Sequence, residues 1–220
     1  MHSMFRKSRR PQTGVSLVSL MVGLALSLLC VVVAMHTYRV TVLNSRHASV
    51  VARGQNISAA LTLQIPKLLP QAGWGLNVAE ETPGGRLNTD LVLLSSATFQ
   101  AGRLSGTTRS IGSASLTGNA LIWATAIEGS VQCRALVTTA ARGLELLGPK
   151  ACANAAAATG IDWDSPVTLA PAEAASSLGF SVRTTACWPF GGRHARESVE
   201  FSFHGAFEDV PPTCIPNITG

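Results

Sequence analysis

Between Gly14 and Tyr38 the chain is almost wholly apolar, and no Asp, Glu, Lys or Arg follows Arg10 until Arg39. A run of this length can cross a bilayer, since about 20 apolar residues suffice. It predicts a helix over 15–38, with Tyr38 and Arg39 at the water interface, where aromatic and basic anchors collect. The pattern then changes to that of a one-sided helix. Val40, Leu43, Val50, Ile57 and Leu61 recur at spacings of three, four or seven. Arg39, Arg46 and Arg53 recur every seven residues, a basic stripe that reads first as a solvated face and second as a contact for anionic headgroups or acidic neighbours. Pro66 is expected to end this helix, because it lacks an N–H and disfavours helix at Ile65. The predicted helix, 15–65, is about 75 Å long at 1.5 Å per residue.

Beyond Pro66 the period shortens to that of strands. Gly73, Trp74 and Gly75 sit in a linker-like stretch, and Thr82-Pro83-Gly84-Gly85 is a turn signal. Leu87 to Leu94 predicts a strand. Residues 95–119, rich in Ser, Thr and Gly, predict a surface segment or irregular edge strands. The clearest hairpin runs from Leu121 to Ile127, turns at Glu128-Gly129-Ser130 and returns from Val131 to Thr138. Gly143 to Leu147 follows as a third strand. Pro171 to Ser177 predicts a short helix, then Phe180 to Thr185 and Ser198 to Phe207 two late strands. In the last, Val199, Phe201 and Phe203 share one face and Glu200, Ser202 and His204 the other. Pro211, Pro212 and Pro216 predict an extended tail.

Charge sharpens the division. Residues 1–14 carry four basic groups and no acid, and residues 15–79 four more, again without acid. From Glu80 onward there are nine basic against twelve acidic residues, a balance of −3. The basic leader is therefore expected on the cytoplasmic side and the C-terminal head in the periplasm. Cys30 falls in the apolar helix, whereas Cys133, Cys152, Cys187 and Cys214 fall in the head. Four cysteines in an exported domain favour two disulfides, with three pairings open. Sequential pairing, Cys133 with Cys152 and Cys187 with Cys214, is the expectation. Each bond would close a loop of about 20 to 30 residues and contribute about 3 kcal/mol. No CxxC or CxxH spacing supports a zinc site instead.

A secretory signal places its small residues after a short apolar core. Here Gly14 precedes a long one, in the order Gly14-Val15-Ser16-Leu17-Val18-Ser19-Leu20-Met21. This arrangement resembles the class III signal of type IV prepilins, most closely minor pilins of the PilW family. The resemblance covers about the first 50 residues well and the rest in outline. It implies that a prepilin peptidase cuts after Gly14 and methylates Val15. It implies an α+β, pilin-like fold, with one long helix packed on an antiparallel β-sheet head. The domains would be a leader, 1–14, a helix, 15–65, and a periplasmic head, 66–220. Leu17, Ser19, Leu20, Met21 and Leu24 would then pack in a filament. The partners implied are other major and minor pilins, the inner-membrane assembly platform, the peptidase and membrane lipid. One departure stands out: the family usually has Glu where this chain has Ser19. A carboxylate in a bilayer costs about 2.5 to 3.5 kcal/mol on insertion scales, so it needs a partner there. Ser19 can instead return its hydroxyl to a carbonyl one turn back. A subunit without the acid should dock less well beneath another and suits a filament tip; alternatively, a scarce subunit tolerates the loss.

No catalytic signature occurs: there is no HExxH, GxSxG or P-loop. The chain is read as a non-enzyme without cofactor or metal. His194 and His204, with Arg193, Arg196, Glu197 and Glu200, read as a polar loop and the wet face of a strand rather than a metal or acid–base cluster. Asp162 and Asp164 flank Trp163 without a calcium-loop pattern. Asn56-Ile57-Ser58 and Asn217-Ile218-Thr219 match the glycosylation pattern, which short sequences often match by chance. Arg183, Trp188, Arg193, His194 and Arg196 form the one basic and aromatic grouping, but the acidic balance of the head argues against nucleic acid. The reading is a minor pilin-like subunit that takes part in pilus assembly, by priming it or at the tip. A type II secretion pseudopilin and a signal-anchored periplasmic protein are the alternatives.

Overall fold

The computed structural model describes residues 16–77, 84–164, 166–175, 177–186, 198–205 and 207–219. The chain divides into two units, Met1–Ala52 and Arg53–Gly220. In the first unit the described residues from Leu17 onward are helical. They belong to α1, Leu17–Leu68, which continues into the second unit. The expected end at Ile65 falls one turn early, and a 3-10 turn, Leu69–Gln71, follows Leu68. A proline inside a helix costs about 3 kcal/mol. Ile65 and Leu69 beside it are fully buried, each contributing about 1.5 to 3 kcal/mol, so burial carries the helix past Pro66.

The rest of the second unit, a β-rich head, is built from strands in chain order: β1 Gly85–Arg86, β2 Leu91–Gln100, β3 Arg103–Arg109, β4 Leu116–Gly118, β5 Ala120–Ile127, β6 Ser130–Thr139, β7 Gly143–Ala151, β8 Val167–Ala170, β9 Gly179–Thr185, β10 Ser198–His204, β11 Thr213–Ile215 and β12 Ile218–Thr219. Two antiparallel sheets result, a larger one ordered β3-β2-β5-β6-β7-β8 and a smaller one ordered β11-β10-β9-β4. β1 and β12 form a short parallel pair. The head is thus an antiparallel β-sheet domain joined to an N-terminal apolar helix.

The larger sheet buries both faces. On one, Leu91, Leu93, Leu121, Trp123 and Leu136 join Leu61, Ile65 and Leu69 of the helix end and Phe180, Phe201 and Phe203 of the smaller sheet. Ser58, Leu61, Ile65 and Leu69 are buried at helical spacing, the stripe an amphipathic helix turns to a core. The Phe180, Phe201 and Phe203 rings meet with centroids 5.2 to 6.1 Å apart. On the other face, Val92, Leu94, Ile122, Ala124, Ala135 and Val137 lie under Ala155, Ala158 and Trp163. The covering segment is tied down by the Cys133–Cys152 disulfide and by the Trp163 N–H, which donates to the Gly102 carbonyl at 2.7 Å.

The hairpin stands where expected, with β5 and β6 paired from Ala120↔Val137 to Ile127↔Ser130. Glu128 and Gly129 both have positive φ, 51° and 80°, as a two-residue hairpin turn requires. Three expectations need correction. The strand predicted from Leu87 begins only at Leu91, because Asn88-Thr89-Asp90 turns. The Asp90 carboxylate accepts the Arg86 N–H at 2.8 Å, and Asn88 has φ 62°, both habits of turn residues. Residues 95–119 hold the end of β2 with β3 and β4; both are edge strands, and β2 shifts register between Ser95 and Thr98, in keeping with the irregular edge strands expected there. Of the helix expected over Pro171 to Ser177, the described residues 171–175 make one turn, in which the Ala175 N–H bonds the Pro171 carbonyl at 3.2 Å, and no helix. So short a stretch does not recover the cost of nucleation. β10 ends at His204, three residues early, at Gly205 with φ +85°.

Glu145 in β7 is buried, and its Oε2 has no hydrogen-bond partner. Arg142 approaches its other oxygen only to 3.8 Å. Burial raises the carboxyl pKa above the ordinary value, and the Arg142 charge offsets part of that. A carboxyl raised in the folded state stabilises at low pH, and that contribution is lost as pH rises through the raised value. Denaturation of the full chain in micelles should therefore show stability falling across that window, and Glu145→Gln should flatten the fall. An unchanged pH profile would exclude Glu145 as its source. In the same assay, replacing Cys133 and Cys152 together by Ala should cost about 3 kcal/mol, the value for a loop of this length.

Candidate functional site

The side chains on which the sequence reading turned lie at the start of α1. Val15 and Gly14, the expected cleavage and methylation site, lie outside the described residues. Leu17, Leu20, Met21 and Leu24 are all more than half exposed, from 56% to 75%. The same holds for most of the apolar residues up to Met35, and none of the 29-residue span Leu17–Ser45 is buried within the fold. A helix of this length and composition, near the start of the chain, is compatible with a single-pass membrane anchor or a signal sequence.

Three of its hydroxyls are bonded within the helix. Ser27 Oγ donates to the Leu24 carbonyl at 2.8 Å, Thr37 Oγ1 to Val33 and Ala34, and Thr41 Oγ1 to Thr37 at 2.8 Å. Satisfied hydroxyls are what a segment in lipid needs, where no water can serve them. Ser19 was expected to do the same, and it makes no such bond among the described residues. It stands in the first turn, where the carbonyl four residues back belongs to Val15. Val40 and Leu43, expected on the apolar face of the stem, are exposed, whereas Ile57 and Leu61 do pack in the head. The side chains of Arg46 and Arg53 lie outside the described residues, so the basic stripe is seen only at Arg39.

In the head, Cys133 and Cys152 form the first expected disulfide. Cys214 is disulfide-bonded as well, and Cys187, its expected partner, lies outside the described residues. Cys30 is free and exposed. The acidic pair flanking Trp163 is split between two cations. Arg103 Nε lies 2.8 Å from Asp162 Oδ1, and Lys150 Nζ lies 3.0 Å from Asp164 Oδ1. The Arg103 hydrogen bond and charge hold the Asp162 carboxyl below its usual range. These carboxylates serve as exposed ion pairs that anchor the covering segment.

Arg183, counted in the basic grouping, pairs with Glu200 at 2.7 Å across β9 and β10. Trp188, Arg193, His194 and Arg196 lie outside the described residues, while His204 is exposed at the end of β10. Among the described residues no group of three His, Cys, Asp or Glu could hold a metal ion. The Asn217 pattern serves structure: its side-chain amide donates to the Pro70 carbonyl at 2.7 Å, which engages the nitrogen a glycan would need. Ser58 of the other pattern is buried and donates to Asp209 Oδ2 at 2.6 Å.

Two openings lie on the head among the described residues. One, about 690 Å³, lies between β2, the β6–β7 turn and Leu178, with Arg142 set 5.4 Å above the Phe99 ring. The other, about 420 Å³, lies beside Trp74, against Pro70, Gln71, Thr125 and Ile127. Neither lining carries a paired nucleophile and base. The sequence reading passed over Asn119, although it stitches three strands: its side chain takes the Ala97 N–H at 2.7 Å and gives to the Ala97 and Thr138 carbonyls. The available signal was an Asn between two strand patterns. No family model, curated protein or solved structure matches this chain.

Proposed function

We propose that the chain is a minor pilin-like structural subunit of a type IV pilus, processed after Gly14 and carried through the membrane by the first half of α1. The observation that supports this most is the division of labour along that helix. Its first half exposes apolar residues from Leu17 to Met35, while its last turns supply Leu61 and Ile65, and the 3-10 turn after it Leu69, to the core of the head. A soluble domain of this size has no use for the first half. A filament subunit needs both, one half to pack with its copies and one to hold a head.

The energetics suit reversible assembly. Lipid tails are as apolar as leucine, so helices in a membrane associate through packing rather than through a hydrophobic driving force. Moving this helix from lipid into a bundle of like helices therefore costs little, and an assembly platform can drive it either way. Ser19 lacks the charge that would pair with a neighbouring amine, and this favours a place where nothing sits above the subunit, at the tip or in the priming complex. The helix bonds to other major and minor pilins, and the head presents the surface. No group in this reading carries out a reaction.

The mature N-terminus tests it. Full-length protein extracted from membranes of cells that carry a prepilin peptidase should begin at Val15, with the mass of one added methyl group. Gly14→Glu should leave Met1 in place and keep the protein out of sheared filaments. Wild-type protein that retains Met1 in such cells, while other prepilins are cut, would refute the proposal and leave a plain signal anchor.

A further inference from the structure

We infer that the groove beside Trp74 is a docking site for an extended peptide segment of a partner protein, one that carries an apolar side chain next to a carboxylate. The inference concerns the head alone and holds whether or not the helix enters a filament. It begins with the tryptophan. Trp123 and Trp163 are buried, but Trp74 is 65% exposed. An exposed indole forgoes much of the burial free energy that a large aromatic ring can supply.

Nor does a loose loop explain it. The Gly73 N–H donates to the Ala124 carbonyl at 2.8 Å, the Trp74 N–H to Gln71 at 3.0 Å, and the Ala126 N–H to the Trp74 carbonyl at 2.8 Å. Gly73 and Gly75 have φ of +78° and +71°, and a Cβ on either would lie 2.1 Å from the Asn217 oxygen or 2.4 Å from the Ala126 oxygen. The backbone on both sides of the ring is thus clamped to β5 and the tail. A ring held ready and left uncovered matches the aromatic anchors that dominate interfaces, whose ordering cost has been met in advance.

The floor identifies the occupant. Thr125 and Ile127 line the groove, and Ile127 is 44% exposed. They continue the face of β5 on which Leu121 and Trp123 are buried; Thr125 is still buried, so the hairpin overshoots its cover at Ile127. Pro70, Trp74 and Ile127 offer apolar contact, which suits a side chain better than a sugar or a free ion. Charge then sets direction. Arg134, registered against Trp123, meets only Gln71 Oε1 at 3.5 Å and has no carboxylate partner among the described residues. Lys67 is exposed nearby, its carbonyl accepting the Gln71 amide. At the far end the hairpin turn carries Glu128. From Arg134 to that turn is about 13 Å, four residues of extended chain at about 3.3 Å each. The fitting segment is therefore extended, acidic at the Arg134 end, apolar in the middle and free of acid at the Glu128 end. A second copy of the groove repeats its own charges and is the poorer match.

The probe is the blocked peptide acetyl-Glu-Thr-Leu-Thr-Lys-amide, titrated into full-length protein in neutral micelles while the indole N–H signals are followed by NMR. The Trp74 signal, assigned with Trp74→Phe, should shift saturably while those of Trp123 and Trp163 stay. Trp74→Ala, and Leu→Ala in the peptide, should each weaken binding about tenfold, as for a central anchor. Arg134→Gln should abolish the preference for the Glu peptide over its Lys counterpart and leave the fold intact. No saturable shift, equal binding of the Lys or Ala peptides, or indifference to Trp74→Ala would overturn the assignment. So would self-association that Trp74→Ala removes, which gives the groove to a second copy, or a Trp74 shift on adding lipid bicelles alone, which gives it to the membrane.

Discussion

Water and the first half of α1 are incompatible, and the rest of the molecule has to be understood around that. Each Leu, Val or Met left exposed forgoes about 1.5 to 3 kcal/mol of burial. The exposed residues from Leu17 to Met35 together forgo tens of kcal/mol. A domain's whole stability is about 5 to 15 kcal/mol. No rearrangement of the head could compensate for such a helix in water, and its length and composition are compatible with a single-pass membrane anchor or a signal sequence. The internal bonding of Ser27, Thr37 and Thr41 meets the same demand, since a hydroxyl without a partner is costly in hydrocarbon.

The head meets a different demand. Its strands are short, interrupted and uneven in length, and side-chain amides and carboxylates complete the pairing that backbone alone leaves open. Asn88 bonds both ways with Ile111, at 2.7 and 3.2 Å, as a neighbouring strand would. Asn119 does so with Ala97, where β2 shifts register between Ser95 and Thr98. Asn217 holds the tail to Pro70, and Asp209 holds Ser58 of the helix end. Backbone groups buried without partners would each cost about 1 to 3 kcal/mol, so these side chains decide whether an irregular sheet is stable. Asn217, which matches a glycosylation pattern in the sequence, is used in this way, whereas Asp162 and Asp164 form exposed side-chain ion pairs with Arg103 and Lys150.

This also explains what was legible in advance. The apolar helix, the β5–β6 hairpin and the buried face of Val199, Phe201 and Phe203 were readable because period and turn chemistry agree there, and each needs only local information. The Cys133–Cys152 bond was readable as a preferred pairing. The start of β2 and the helix end past Pro66 were not. Both are settled by contacts distant in sequence: Asn88 with Ile111 and Ile65 with the sheet. Exposure of Trp74 was hidden for the same reason, since Gly73-Trp74-Gly75 reads as a linker until the tail and β5 are seen to clamp it. Asp162 and Asp164 carried no calcium-loop pattern, but spacing alone did not show that Arg103 faces one and Lys150 the other.

The helix and the groove at Trp74 differ in what they can discriminate. The surface from Leu17 to Met35 is apolar on every side, so its contacts depend on shape and on the absence of water, and many helices can satisfy them. The groove combines a fixed ring, a cation without a carboxylate partner among the described residues and an anion about four residues further on, so few segments fit. Affinity without selectivity on one unit and selectivity over a small area on the other are complementary. A small groove alone gives weak binding, but when a helix already holds two proteins in one membrane, their effective concentration rises and a weak contact suffices to choose between neighbours. On this argument, the uncovered tryptophan costs the head some stability and returns recognition that the greasy helix cannot provide.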